Sequence, residues 1–156
     1  RYALVFGGKE LPLDMQEYDA LLLFEQLLGE QSAALEQYGF DVRTSWPDGT
    51  CRIRVDVTCL RRVLDNLFDN LRKYADMRHP VNIALSVENS CLHLCIGNNI
   101  APEPAAVESN KIGLRTCERI MQQLGGSFLK YEQGGCFTAE LLLPALPDTE
   151  PETAKN

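Results

Sequence analysis

No stretch of this sequence comes near the roughly twenty consecutive apolar residues that a helix needs to cross a bilayer. Positive charge is also scarce: Lys and Arg total 15 against 22 Asp and Glu, a net charge of −7. That balance argues against a broad nucleic-acid or anionic-membrane surface but leaves room for a small local anion site. The six cysteines (Cys51, Cys59, Cys91, Cys95, Cys117 and Cys136) include no CxxC pair, and His79 and His93 offer no matching ligand spacing. Neither a cysteine–histidine metal site nor a disulfide framework is expected. Most of the thiols fall where apolar residues belong, so they read as reduced thiols of a cytosolic domain. There is no internal repeat. Nothing at the start reads as a signal peptide. The first residue is Arg1 rather than Met, from which we expect a piece of a longer protein, with room for membrane segments elsewhere in it.

What is present suffices for one domain with a proper core: 156 residues, 45% hydrophobic and 24% charged. Residues 15–38 are predicted as a helix, because Leu21, Leu22, Phe24, Leu27, Leu28 and Leu35 recur at helical spacing. Asp14 is its expected N-cap and Gly39 its terminator. "FDVRTSWPDGTCRIRVD" is expected to form a hairpin turning at Pro47, Asp48 and Gly49. A second helix is predicted over 58–75. "VNIALSVENSCLHLCIGNN" then alternates as a hairpin turning at Asn89 and Ser90. Residues 99–110 contain prolines and no period, and are predicted as a loop. A third helix over 112–124 is closed by Gly125 and Gly126, and a hairpin with "EQGG" as its turn follows. We expect residues 1–146 to form the domain and the polar residues 147–156 to be a disordered tail. The order predicts an α+β fold: a two-layer α/β sandwich in which a mixed, mainly antiparallel sheet packs against three helices.

The second helix raises a question. Asparagine is a poor helix former, because its amide competes for backbone hydrogen bonds, yet "RRVLDNLFDNLRKYAD" carries Asn66 and Asn70. On a helical wheel Leu60, Leu64, Leu67, Phe68, Leu71 and Ala75 make the core face. Asn66, Asn70 and Lys73 gather on a separate side, Tyr74 lies at the border, and Asp65 and Asp69 take a further sector. Amide oxygens can ligate a hard cation such as Mg²⁺, a lysine can meet a phosphate, and an aromatic ring can pack on a base. Taken alone, this is equally a solvated face. Gly113, in the first turn of the third helix, would let an anion approach free N–H groups at the positive end of the helix dipole. Its plainer reading is tight helix packing. Lys111 and Arg115 add positive charge nearby. Asn98 ends an apolar strand, and its side-chain oxygen could accept a hydrogen bond from an exocyclic amine. Its plainer reading is an ordinary turn asparagine.

In this order and spacing the three segments resemble the ATP-binding catalytic domain of sensor histidine kinases, a branch of the GHKL superfamily with the Bergerat fold. The resemblance covers roughly Leu21 to Pro144. "LRRVLDNLFDNLRKYA" resembles the N box, "KIGLRTCERIMQQLGG" the G2 box, and "CIGNN" stands where the G1 box belongs. The resemblance implies that Asn66 and Asn70 hold Mg²⁺ against the phosphates of ATP, that Lys73 contacts a phosphate and that Tyr74 lines the adenine pocket. Asn98 takes the place of the adenine-reading aspartate. Lys111 stands at the first glycine of the G2 box, Ile112, Gly113 and Leu114 offer backbone contacts near the phosphates, and 99–110 is the lid. Further departures are Ile100 and Ala101 in place of G1 glycines, a short lid without an F box, and Cys136 where related ATPases have a threonine beside the adenine. Neither histidine lies in an acceptor motif: His79 reads as a loop residue and His93 as a sheet-surface residue. The implied function is binding of Mg·ATP and donation of its γ-phosphate to a histidine on a dimerisation and phosphoacceptor domain outside this segment, with no catalytic side chain of its own. A response regulator would be served through that domain. No nucleic acid and no direct membrane contact are expected, the segment would be monomeric, and it would be the cytoplasmic portion of a membrane-bound sensor. The alternatives are a degenerate nucleotide-binding or non-catalytic interaction module, another GHKL ATPase, or a serine kinase.

Overall fold

The computed structural model describes residues 3–6, 9–102 and 110–147, with side chains over 12–102 and 114–147. In chain order the elements are β1 (Ala3–Phe6), β2 (Lys9–Pro12), β3 (Gln16–Asp19), α1 (Ala20–Tyr38), β4 (Val42–Ser45), β5 (Arg52–Val55), α2 (Val57–Tyr74), β6 (Val81–Glu88), β7 (Cys91–Asn99), α3 (Asn110–Gln123), β8 (Ser127–Gln133) and β9 (Cys136–Pro144). Five strands form one sheet in the order β4-β6-β7-β9-β8. β4 runs parallel to β6 and every other neighbour in that sheet is antiparallel. β1 with β2, and β3 with β5, make two smaller antiparallel pairs. This is the expected α+β architecture, a mixed and mainly antiparallel sheet under three helices.

Alternation decides which face of the sheet is covered. Val81, Ile83 and Leu85 of β6, Leu92, Leu94 and Ile96 of β7, and Ala139, Leu141 and Leu143 of β9 are all buried. They meet Phe24, Leu28 and Leu35 of α1, Leu60, Leu64, Phe68 and Leu71 of α2, and Ile120, Met121 and Leu124 of α3 in one core. Each such aliphatic side chain contributes roughly 1.5–3 kcal/mol when fully buried. A slip of one residue in β7 would exchange Leu94 for His93 or Cys95, so register is strongly specified.

Local chemistry sets the helix ends. Gly39 closes α1 in the left-handed region at φ 116°. α3 closes the same way: Gly125 (φ 83°) donates to the Gln122 carbonyl at 3.1 Å and Gly126 to the Met121 carbonyl at 2.8 Å. The second and third hairpins turn where expected, through Asn89 and Ser90 and through Gly134 and Gly135, all at positive φ. The turns of both follow from residues that tolerate that region.

Two expectations are corrected. The first helix does not begin at 15: residues 16–19 form β3, which supplies a partner for the backbone groups of β5. The cap is Asp19, whose Oδ1 accepts from the amides of Leu21 and Leu22 at 3.1 and 3.3 Å. Asp14 instead donates its amide to Asp56 Oδ2 at 2.8 Å, bracing the N-cap of α2. Nor is 40–56 a hairpin. β4 joins β6, with Val42 opposite Val81, and β5 joins β3. Alternating side chains specify a strand and its buried face but do not choose its partner. Of the disordered tail expected at 147–156, all but residue 147 lies outside the described residues.

Candidate functional site

α2 positions most of the residues singled out in the sequence. Its apolar stripe is buried as predicted, and Val63 and Cys59 join it. That orientation leaves Asn66 and Asn70 half-buried on the adjoining strip, with Lys73 exposed and Tyr74 half-buried at the end of the helix. The Asn70 carboxamide makes no hydrogen bond among the described residues. Lys73 Nζ lies 3.3 Å from Asp69 Oδ2, and Arg72 Nη2 lies 3.0 Å from Asp69 Oδ1. Exposed pairs one helical turn apart contribute only about 0.3–0.5 kcal/mol, so an arriving anion can draw Lys73 away.

The Tyr74 hydroxyl is buried and has no hydrogen-bond partner among the described residues. Such an atom typically costs roughly 1–3 kcal/mol and points to a ligand or water that belongs there. Around it the chain leaving β7 is stitched to the exit of α2. The Ala101 amide donates to the Tyr74 carbonyl at 2.7 Å, the Asp76 amide to the Asn99 carbonyl at 2.8 Å, and the Ile100 amide to the Gly135 carbonyl at 2.8 Å. Ala75 and Ile100 form an isolated bridge.

Asn98 sits in this junction. It is 6% exposed and has the same parity along β7 as Leu94 and Ile96, so it faces the helices. Its Nδ2 donates to the Asn99 carbonyl at 3.0 Å, which leaves the side-chain oxygen as the group to offer a ligand. Across the sheet Asn98 is opposite Phe137, a half-buried residue packed against the core. Cys136 is opposite Asn99 and has the other parity. The β9 side chain on the Asn98 side of the sheet is therefore Phe137, not Cys136.

α3 begins at Asn110, so Lys111, Ile112 and Gly113 fall in its first turn, where backbone N–H groups lack intrahelical acceptors. The side chains at 110–113 lie outside the described residues, as do 103–109, the greater part of the expected lid. Asn99 and Asn110, expected as lid ends, belong to β7 and α3. Leu114 turns into the core and is 7% exposed, so only its backbone could serve a ligand. Cys117, fully buried, ties α3 to α2: its thiol donates to the Val63 carbonyl at 3.5 Å. Burial pushes this thiol up to about 12, with the nearby Asn66 amide pulling the other way.

Just past α2, the Asp76 side chain is 10% exposed and receives Arg78 through Nε (3.0 Å), Nη2 (2.9 Å) and the backbone amide (3.0 Å). The Arg78 guanidinium holds its carboxyl down at about 2. Sequence reasoning missed Asp76, Cys117 and Phe137. Alternation in "FTAELLLP" places Phe137 on the core side of β9, but nothing local sets it opposite Asn98. As expected, His79 is exposed, 4.0 Å from Asp76, and His93 is on the outer sheet face. There its Nε2 lies 2.6 Å from Glu140 Oε1, and Tyr131 donates to Glu140 Oε2 at 2.7 Å.

Among the described residues no group of three His, Cys, Asp or Glu could hold a metal. Two carboxamides beside an orphaned hydroxyl suit a different arrangement. Mg²⁺ binds through few protein ligands when a substrate's phosphates complete its shell, and the donor set fits that use.

No protein-family model matches the chain. Over 127 residues it is 29% identical to the sensor histidine kinase YrkQ of Bacillus subtilis (strain 168), covering 81% of this chain and 29% of that protein. Over 150 residues it is 28% identical to the sensor protein KdpD of Escherichia coli (strain K12), covering 83% of this chain and 17% of that one. The chain thus spans less than a third of the length of these curated relatives. The fold superposes on the catalytic domain of histidine kinase ThkA, in a nucleotide-free form, with a TM-score of 0.71 at 16% identity, covering 86% of this chain and all of that one. No helix among the described residues is long and apolar enough to cross a membrane. The chain is thus similar in sequence to sensor histidine kinases and has the fold of the catalytic domain of a histidine kinase.

Proposed function

We propose that this chain binds Mg·ATP and presents its γ-phosphate to a histidine on a separate dimerisation domain of a sensor kinase. The observation that carries the reading is the buried, unpartnered Tyr74 hydroxyl at the end of the helix that carries Asn66 and Asn70, where backbone hydrogen bonds tie that helix to the end of β7 that holds buried Asn98. In this reading Asn66 and Asn70 hold Mg²⁺ by their amide oxygens. The bound ion neutralises charge on the phosphates. Lys73 leaves Asp69 for a phosphate oxygen, and the first-turn amides of Lys111, Ile112, Gly113 and Leu114 bind the same anion. Asn98 Oδ1 accepts from the exocyclic amine of adenine, with Phe137 and Tyr74 as the apolar walls. Phosphoryl transfer needs chiefly positioning and charge neutralisation, and these residues supply both without a general base. The partners are then the phosphoacceptor domain and, through it, a response regulator. The site of action is the cytoplasm.

Calorimetric titration of Mg·ATP into the wild-type chain and Asn70→Ala tests this. Sub-millimolar binding abolished by the substitution supports it, and absence of binding overturns it. A second reading, an interaction module without phosphoryl transfer, is favoured by Lys111 and by Ile100 and Ala101 at positions where the resembling family has glycine. That reading expects no Mg·ATP binding. A serine kinase on the same fold would give the longer protein an acid-stable rather than an acid-labile phosphate.

A further inference from the structure

We propose that the free edge of β8 is the contact surface for a second copy of this chain, which adds its own β8 antiparallel about Tyr131 and continues the sheet across a two-fold axis. The inference is independent of the nucleotide reading.

An edge strand exposes a row of unpaired main-chain N–H and C=O groups. β4 and β8 are the edges of the large sheet. β4 has four residues and β8 seven, in unbroken register with β9 from Ser127 to Gln133 and without proline or bulge. No described strand lies on the far side of β8. The chain leaving β9 is tied elsewhere: the Ala145 amide donates to the Ser90 carbonyl at 2.9 Å and the Leu146 amide to the Arg52 carbonyl at 2.8 Å. Every β8 side chain except Phe128 is exposed. Leu129 and Tyr131, 51% and 46% exposed, stand on the outer face. The Tyr131 hydroxyl donates to Glu140 Oε2 at 2.7 Å, which draws the ring toward β9 and leaves the edge open.

Charge selects both the occupant and the register. Lys130 and Glu132 share the opposite face with Phe128, and neither forms an ion pair among the described residues. A lysine on an edge strand normally discourages pairing. Here an acid follows it on the same face, so the segment is complementary to itself. Two copies related by a two-fold axis present the same patch to each other. Centred on Tyr131, the pairing sets each Lys130 opposite the Glu132 of the other copy and the two Tyr131 rings opposite one another. Centred on Lys130 or on Glu132, it would oppose like charges, which is destabilising. The dimer departs from the monomer expected of the sequence, because pairing between copies is set by which edge the fold leaves open.

So short a strand pair should bury less than the roughly 1,200 Å² of a stable interface, so association is expected at concentrations on the order of 1 mM. The test is a concentration series of the isotope-labelled chain followed by diffusion NMR and amide shifts. We expect diffusion to slow as concentration rises, with shift changes centred on 129–133. Lys130→Glu and Glu132→Lys each turn both opposed pairs into like charges, and each should lower the association constant roughly tenfold. Mixed in equal amounts, the two variants set acid opposite base at both pairs, so the mixture should recover the association of the wild type.

A wild-type chain that stays monomeric at about 1 mM overturns the proposal, even if its edge then takes a strand from a different protein. So do shift changes centred on another element, or a mixture that associates no better than its components. Both substitutions alter exposed side chains outside the core. If either variant fails to fold, the wild-type shift map decides by the same criterion.

Discussion

The carbonyl of Tyr74, the last residue of α2, accepts a 2.7 Å hydrogen bond from the amide of Ala101. One residue thus does two things. Its backbone anchors the segment leaving β7, while its side chain buries a hydroxyl that nothing among the described residues satisfies. The anchor sets where the following segment starts, and the hydroxyl marks the space beneath it.

That unsatisfied atom makes a sharp prediction. Tyr74→Phe should stabilise the ligand-free chain by about 1 kcal/mol in urea unfolding, since it removes a buried polar group and keeps the ring. The same variant should lose part of the thermal stabilisation that Mg·ATP confers. A Tyr74→Phe chain less stable than wild type would show that the hydroxyl has a partner after all.

Asn98 is expected to behave in the opposite sense. An aspartate there would turn a carboxylate oxygen, rather than Nδ2, toward the Asn99 carbonyl in a site only 6% exposed. Asn98→Asp should therefore lower ligand-free stability by roughly 1–3 kcal/mol. Yet a charged acceptor makes the stronger bond to an amine, so ATP should raise its Tm by more than it raises that of wild type. Paired thermal scans, with and without nucleotide, read both effects.

Asp76 gives a pH dependence with a definite sign. Its carboxyl titrates at about 2 in the folded chain against an ordinary 3.8, first because the Arg78 side chain bonds it and then because the Arg78 amide does. A depressed folded value stabilises the native state above the ordinary value, and that contribution is lost as pH falls from about 3.8 through about 2. Asp76→Asn should be less stable than wild type at pH 7, and the gap should close at the acid end of this window. Urea titrations at neutral pH and at two acid pH values check it.

The two glycines after α3 should differ sharply. Gly125 sits at φ 83° with open space where a side chain would go, so Gly125→Ala should cost about 1–2 kcal/mol of backbone strain. A methyl on Gly126 would overlap the Leu142 carbonyl oxygen of β9, and that backbone cannot yield without parting the sheet edge. Gly126→Ala should be the more damaging substitution, by 2 kcal/mol or more on the scale of severe overpacking. Similar losses for both would show that β9 can shift.

Much of the fold was legible because it is local. Alternation in "VNIALSV" and "LHLCI" marks one face of the sheet, the spacing of Leu60, Leu64, Phe68 and Leu71 marks one face of α2, and glycines after apolar helices mark their ends. Asn66 and Asn70 stood out because a helix does not choose asparagine for its own stability. The failures share a cause. β4 and β5 follow one another around a turn signal, but each buries its apolar residues by pairing elsewhere, β4 with β6 and β5 with β3. Asp14 likewise caps nothing next to it and braces Asp56, 42 residues away.

The sequence by itself determined which side chains each element buries, where helices stop, and that an amide–lysine–tyrosine strip lies outside the core of α2, because these depend on neighbours within a few residues. Only the tertiary structure decided that Phe137 rather than Cys136 stands on the Asn98 side of the sheet, that the Tyr74 hydroxyl is buried without a partner among the described residues, and that Cys117 bonds the Val63 carbonyl. Those facts come from strand register and helix contact between distant segments. Many local patterns are compatible with each, and the choice among them is made by the packing of the whole core.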